Sequence, residues 1–121
     1  MTTRRTCARS FYPEASAATI EEYVRGFAPP PLPGARAAVV PHAGWFFSGR
    51  TAARVFLALA PAAPATFVFL GAVHRRPLDA PAADAAEAWD TPLGPGSVDT
   101  ALLADLRRAG IGIEDDPGAH E

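Results

Sequence analysis

Two apolar runs that each end in a histidine constrain this chain more than any other feature. Ala37-Ala38-Val39-Val40 leads into Pro41-His42-Ala43-Gly44-Trp45, and Thr66-Phe67-Val68-Phe69-Leu70 leads into Gly71-Ala72-Val73-His74. Neither run alternates between apolar and polar residues, the pattern of strands buried on both faces of a parallel sheet. A first strand is therefore expected over about Ala35 to Val40 and a second over Thr66 to Leu70. Between them the spacing predicts a helix from about Gly49 to Ala60, capped by Ser48 and closed by Pro61 and Pro64. Its inner face would carry Ala52, Val55, Phe56 and Leu59. Such a βαβ unit crosses over right-handedly, which would bring both strand exits, and with them His42 and His74, to one sheet edge. Open α/β sheets bind their ligands at that edge.

The other segments read as support for this unit. Residues 1 to 10 suggest a loose arm, and Phe11-Tyr12-Pro13 an extended stretch able to anchor on the core. Ser16 begins a helix whose Ile20, Tyr23, Val24 and Phe27 form one apolar stripe, with Glu21, Glu22 and Arg25 facing away. Pro29-Pro30-Pro31-Leu32-Pro33-Gly34 ends it as a stiff connector. Pro77 to Gly96 suggests an irregular or hairpin segment. Asp99 caps a helix over about Thr100 to Ala109, with Leu102, Leu103 and Leu106 inward and Gly110 as its stop. Ile111 to Ile113 begins another strand, and the polar residues 114 to 121 complete no element.

Composition bounds what such a chain can do. Its 121 residues suit one domain or part of one, and are few for a sheet with helices on both faces. Hydrophobic residues make up 49% and charged residues 20%, as in a globular protein, and no apolar run has the length of a membrane span. No apolar h-region follows Met1-Thr2-Thr3-Arg4-Arg5, so no signal peptide and a cytoplasmic location are expected. Cys7 is the only cysteine, which excludes an internal disulfide and agrees with a reducing compartment. A net charge of −2 and eleven scattered arginines point to neither nucleic acid nor an anionic membrane as partner.

Two imidazoles at one crevice are part of a metal site, since imidazole suits iron, copper and zinc, but a stable site needs a third ligand. The plainer alternative has His42 ending a strand against backbone and His74 half-exposed beside Arg75 and Arg76. In the loop between them and the helix, Gly44 permits a sharp turn, and Ser48-Gly49 opens a helix whose N–H groups could hold a carboxylate or phosphate. An ordinary strand-to-helix loop fits the same residues. Trp45, Phe46 and Phe47 cannot all wall a pocket. Asp99 reads first as a cap, Asp90 as a turn residue and Glu121 as a solvated terminus. Cys7 reads as a bystander thiol, and Ser48 and Ser97 show no histidine-carboxylate pairing for a serine hydrolase.

Taken together, Ser10-Phe11-Tyr12-Pro13, Val40-Pro41-His42-Ala43-Gly44-Trp45, Ser48-Gly49-Arg50-Thr51-Ala52-Ala53, Leu70-Gly71-Ala72-Val73-His74, Trp89-Asp90-Thr91-Pro92-Leu93-Gly94 and Val98-Asp99 resemble, in order and spacing, the amino-terminal part of the Memo family. In bacteria and archaea this family is called AmmeMemoRadiSam system protein B. The resemblance implies an α/β fold like that of the LigB-type class III extradiol dioxygenases, incomplete at the carboxyl end. It implies a pocket in which two histidines, matched by His42 and His74, and a later cysteine bind a divalent metal, iron or copper ahead of zinc. It leaves the reaction open, because the eukaryotic relative is associated with cell motility, phosphopeptide binding and redox metal chemistry. A functional link to AMMECR-like and radical SAM proteins is implied by the family alone. Two departures stand out: Arg9 replaces a common glycine, and the family pattern continues past Ala119-His120-Glu121 into a Glu-His-Ser motif and the cysteine ligand. His120 would then be a pocket neighbour, at a chain end expected to be disordered.

The leading reading is thus a single, partial Memo-like domain over residues 1–121 with an incomplete metal site on His42 and His74, inactive by itself and prone to self-association through uncovered apolar surface. The alternative is a non-catalytic module that binds an anionic ligand or phosphopeptide through Gly44, Trp45, Ser48 and Gly49. A third reading is a truncated product without activity of its own.

Overall fold

The structure, a computed structural model, describes residues 2–6, 12, 16–60 and 66–120. It is α/β, with helices and small sheets of mixed pairing, and its residues gather into two compact units, Arg9–Phe67 and Met1–Ala8 with Val68–Glu121. The first contains α1 (Ala17–Val24) and α2 (Trp45–Leu59). Ser16 caps α1 as its sequence predicts, accepting from the Thr19 N–H at 3.1 Å. Ile20, Tyr23, Val24 and Phe27 are half-buried, while Glu21, Glu22 and Arg25 are exposed. The chain leaves the helix through Gly26 at φ 70°, a backbone conformation that glycine adopts without strain.

Helix α2 packs on α1 through the absence of a side chain. A Cβ at Gly49 would run into the Tyr23 ring, lying 2.8 Å from its Cδ2. The ring cannot simply swing aside, because the Tyr23 hydroxyl donates to the Trp45 carbonyl at 3.0 Å. Arginines close the same seam. Arg50 lies 5.5 Å over the Tyr23 ring and pairs with Glu22 at 2.6 Å, and Arg54 lies 4.7 Å over Phe27. Each cation–π contact adds about 0.5–1 kcal/mol at an exposed site. On the inner side of α2, Ala52, Val55 and Leu59 are half-buried and Ala58 is buried. Phe56 remains partly exposed and meets the edge of Phe67 at 6.3 Å.

The second unit is built from two-residue strands. β1 (Thr3–Arg4) pairs in parallel with β3 (Ala88–Trp89), which pairs antiparallel with β4 (Gly96–Ser97). The β3–β4 hairpin turns at Thr91–Gly94, where Gly94 takes φ 101° and donates to the Thr91 carbonyl at 3.0 Å. This is the hairpin expected between Pro77 and Gly96. A second, two-stranded sheet joins β2 (Ala82–Ala83) in parallel to β5 (Glu114–Asp115). Helix α3 (Thr100–Arg108) begins at Asp99, whose carboxylate accepts from the Leu102 N–H at 2.9 Å, and stops before Gly110 at φ 82°. Ala88 is the most buried of the described residues of the unit, at 1% exposure, and Ala119 in the 3-10 helix Pro117–His120 is also buried.

Several expectations need correction. Neither Ala35–Val40 nor Thr66–Leu70 is a strand, so no βαβ unit is formed by them and they do not build the sheet edge expected to carry His42 and His74. A parallel strand exists only where a ladder partner runs beside it. These runs stay open to solvent instead, Val39 at 94% and Leu70 at 95% exposure. The expected arm contains β1, and the last strand forms at Glu114–Asp115 rather than Ile111–Ile113, because the Glu114 and Asp116 N–H groups reach the Pro81 and Ala83 carbonyls at 2.9 and 3.0 Å. The polar end completes two elements, β5 and the 3-10 helix. Cys7, Ser10, Phe11, Pro13, Pro61, Pro64 and Glu121 lie outside the described residues.

Gly49→Ala should destabilise the protein by about 1–2 kcal/mol, the overlap with Tyr23 outweighing the gain in helix propensity of up to about 1 kcal/mol. Urea unfolding followed by far-ultraviolet circular dichroism measures it. Gly34→Ala, where a Cβ meets nothing within 4 Å, serves as the near-neutral control.

Candidate functional site

Of the residues singled out by sequence, His42, Gly44, Trp45, Phe46, Phe47, Ser48 and Gly49 lie in the unit Arg9–Phe67 at the start of α2. His42 is exposed in the loop before the helix. Gly44, at φ −50° and ψ 149°, is the N-cap, and no side chain caps the helix. Its carbonyl accepts from the N–H groups of Phe47 and Ser48 at 2.9 and 3.1 Å. The helix therefore starts four residues before the expected position. Ser48 is buried at 6% exposure and does not cap; its hydroxyl donates back to the Ala43 carbonyl at 2.6 Å. A serine inside the first turn can bond backward to a carbonyl, and here that bond ties the histidine loop to the helix. Trp45 meets Tyr12 and Tyr23 in tilted ring contacts, at centroid distances of 6.4 and 6.5 Å, so its ring takes part in the α1–α2 packing. Phe46 and Phe47 are each 81% exposed, their rings edge to face at 5.2 Å.

His74 lies in the other unit, exposed in a bend over residues 74–76. Asp90 is exposed, and its backbone bonds Arg4 and Thr6 beside the β1–β3 ladder, so it stands just before the Thr91–Gly94 turn rather than in it. Asp99 is the α3 cap described above. Among the described residues no group of three or more His, Cys, Asp or Glu side chains is placed to hold a metal ion. His42 and His74 belong to different units, and each by itself is a single imidazole donor.

A polar cluster that sequence reasoning missed is better built. Arg4 and Asp84 pair at 2.6 Å with side chains only 12% and 7% exposed. The same Arg4 nitrogen donates to the Pro117 carbonyl at 3.0 Å, and the guanidinium lies 5.4 Å over the Trp89 ring. Trp89 in turn meets His120 edge to face at 5.3 Å. His120 is half-buried and helical, not the frayed end expected of it. Burial pushes the Asp84 carboxyl up, but the Ala86 N–H, the Arg4 bond and charge, and the His120 charge outweigh it and hold the pKa below the ordinary value. Glu87 is held low as well, chiefly by the Thr2 N–H, which it accepts at 2.6 Å. Nothing local in the sequence marks the Arg4–Asp84 pair, whose partners stand 80 residues apart.

The stability supplied by Asp84 is complete above the ordinary carboxylate pKa and lost as pH falls through the lower folded value. Asp84→Asn should therefore cost about 1–3 kcal/mol at pH 7. In urea titrations its deficit against the unmodified protein should shrink toward zero well below about pH 4.

The chain matches the family model for Memo-like protein over residues 4–121. It is 41% identical over 91 residues to a MEMO1 family protein of Methanopyrus kandleri, covering 74% of this chain and 31% of that one. A MEMO1 family protein of Archaeoglobus fulgidus is 41% identical over 99 residues, covering 79% and 36%. Protein MEMO1 of Danio rerio is 35% identical over 77 residues, covering 64% and 26%. The chain thus spans about a third of the length of the curated relatives it matches. With the family model matched along nearly its whole length, the chain belongs to the Memo family.

Proposed function

We propose that His42 and His74 act as metal ligands, iron or copper ahead of zinc, and that the chain by itself holds metal weakly and supports no robust turnover. The observation that carries this reading is that both histidines of the family motifs stand exposed in loops, where an ion in solvent can reach them. Two imidazoles leave the coordination sphere incomplete, so no catalytic step is assigned to these residues. A LigB-like relationship of the fold, a cytoplasmic location and a link to AMMECR-like and radical SAM proteins belong to the same proposal, on the strength of family membership. Self-association belongs to it as well, supported by the exposure of Val39, Phe46, Phe47 and Leu70.

A second reading is favoured by one feature, the N-terminus of α2, which no side chain caps. There Gly44 and Trp45, with the loop held by Ser48 and the close packing allowed by Gly49, would bind a carboxylate or phosphate in a non-catalytic adaptor. His120 would remain a neighbour of a pocket rather than a ligand.

Titration with Fe(II) under anaerobic conditions, Cu(II) and Zn(II), read by calorimetry and by metal content after gel filtration, separates the two. Metal uptake that weakens on the order of tenfold or more in His42→Ala and in His74→Ala, a loss of about 1.4 kcal/mol or more, supports the first reading. Phosphate binding without metal uptake, unchanged in both variants, supports the second. Oxygen consumption with catechols by the Fe(II)-loaded chain, together with a monomeric solution mass, would overturn the expectations of inactivity and self-association.

A further inference from the structure

We propose that Pro29-Pro30-Pro31-Leu32-Pro33 is a docking segment for an aromatic-lined groove on a partner protein, the groove of a WW domain being the type. The inference is independent of the metal reading. Proline fixes its own φ near −65° and drives the residue before it to extended backbone. Ala28, Pro29, Pro30 and Leu32 each precede a proline, so these four residues favour extended, polyproline-like backbone before anything binds the run. With three residues per turn, Pro30 and Pro33 share one edge about 9 Å apart.

The structure leaves this edge exposed. Pro30, Pro31, Leu32 and Pro33 are all exposed, Leu32 at 50%. The backbone is instead anchored from beneath: the Leu32 N–H donates to the Ala58 carbonyl at 3.2 Å, and the Ala35 N–H closes a turn onto the Leu32 carbonyl at 3.0 Å.

That anchoring fixes the partner's chemistry. Prolines have no N–H, and the single N–H of the run is used by Ala58. The carbonyls of Pro30 and Pro31 accept no backbone hydrogen bond among the described residues. The segment therefore presents apolar rings and acceptors, with no donor. A sheet edge is a poor match, because strand addition needs N–H and carbonyl groups in alternation. Parallel aromatic rings that take a proline between them, with an indole N–H or tyrosine O–H donating to a carbonyl, match it. Because the run is already ordered, binding loses little conformational entropy.

The test uses the whole 121-residue chain, labelled with 15N, titrated with a recombinant WW domain of the class that binds proline-leucine-proline sequences. Saturable shifts confined to the amides of Phe27, Ala28, Leu32, Gly34 and Ala35 are expected. Affinity should fall on the order of tenfold in Pro30→Ala, about 1.4 kcal/mol, and again in Pro33→Ala. Pro30 makes no bond that the helices need, so the circular dichroism of that variant should be unchanged. If a variant does unfold, the map of shifts in the unmodified chain still decides. Absence of binding, shifts centred on other residues, or equal affinity in a folded Pro30→Ala would each overturn the proposal.

Discussion

The unit formed by the two ends of the chain depends on one half-hidden ion pair. Arg4 and Asp84 meet at 2.6 Å with little solvent around either side chain, and Arg4 also reaches Pro117 and Trp89. A pair this enclosed contributes only when both partners are present, since the loss of one leaves the other without compensation in a poorly solvated place. It is also a point where three pieces meet: β1, the stretch leading to β3, and the 3-10 helix. The ladders themselves are two residues long, too short to hold the register alone.

The other unit is held by shape rather than charge. Gly49 lets Tyr23 lie against the backbone of α2, and the tyrosine hydroxyl fixes the start of that helix through Trp45. Ser48 completes the arrangement from inside by binding the Ala43 carbonyl. The histidine loop is thus fastened one residue after His42, which gives that imidazole a firm base on a helix even though its surroundings are open.

What could be read from sequence follows from how local each signal is. Ser16 and Asp99 announced their helices because a cap acts within three residues, and Gly26, Gly94 and Gly110 sit where φ must be positive. The family, too, was readable from motif order. Ser48 misled because a serine before a helix and one inside its first turn look alike until its hydrogen bond is seen. The apolar runs at Ala35–Val40 and Thr66–Leu70 misled for a deeper reason: hydrophobicity marks what a segment prefers to bury, whereas a strand is defined by the neighbour that supplies its ladder. The strands that do form, at Thr3–Arg4 and Glu114–Asp115, are too short and too polar to announce themselves.

The pairing of β1 with β3 also sets an order on synthesis. Thr3 and Arg4 leave the ribosome well before their partners Ala88 and Trp89, which are made 85 positions later. At about 5–20 residues per second the first strand waits roughly 4–17 s for its sheet. Helices α1 and α2, whose contacts with each other span fewer than 45 residues of chain, can pack as soon as Leu59 emerges. The protein is therefore expected to assemble from its middle outward, with its beginning among the last parts to find a place.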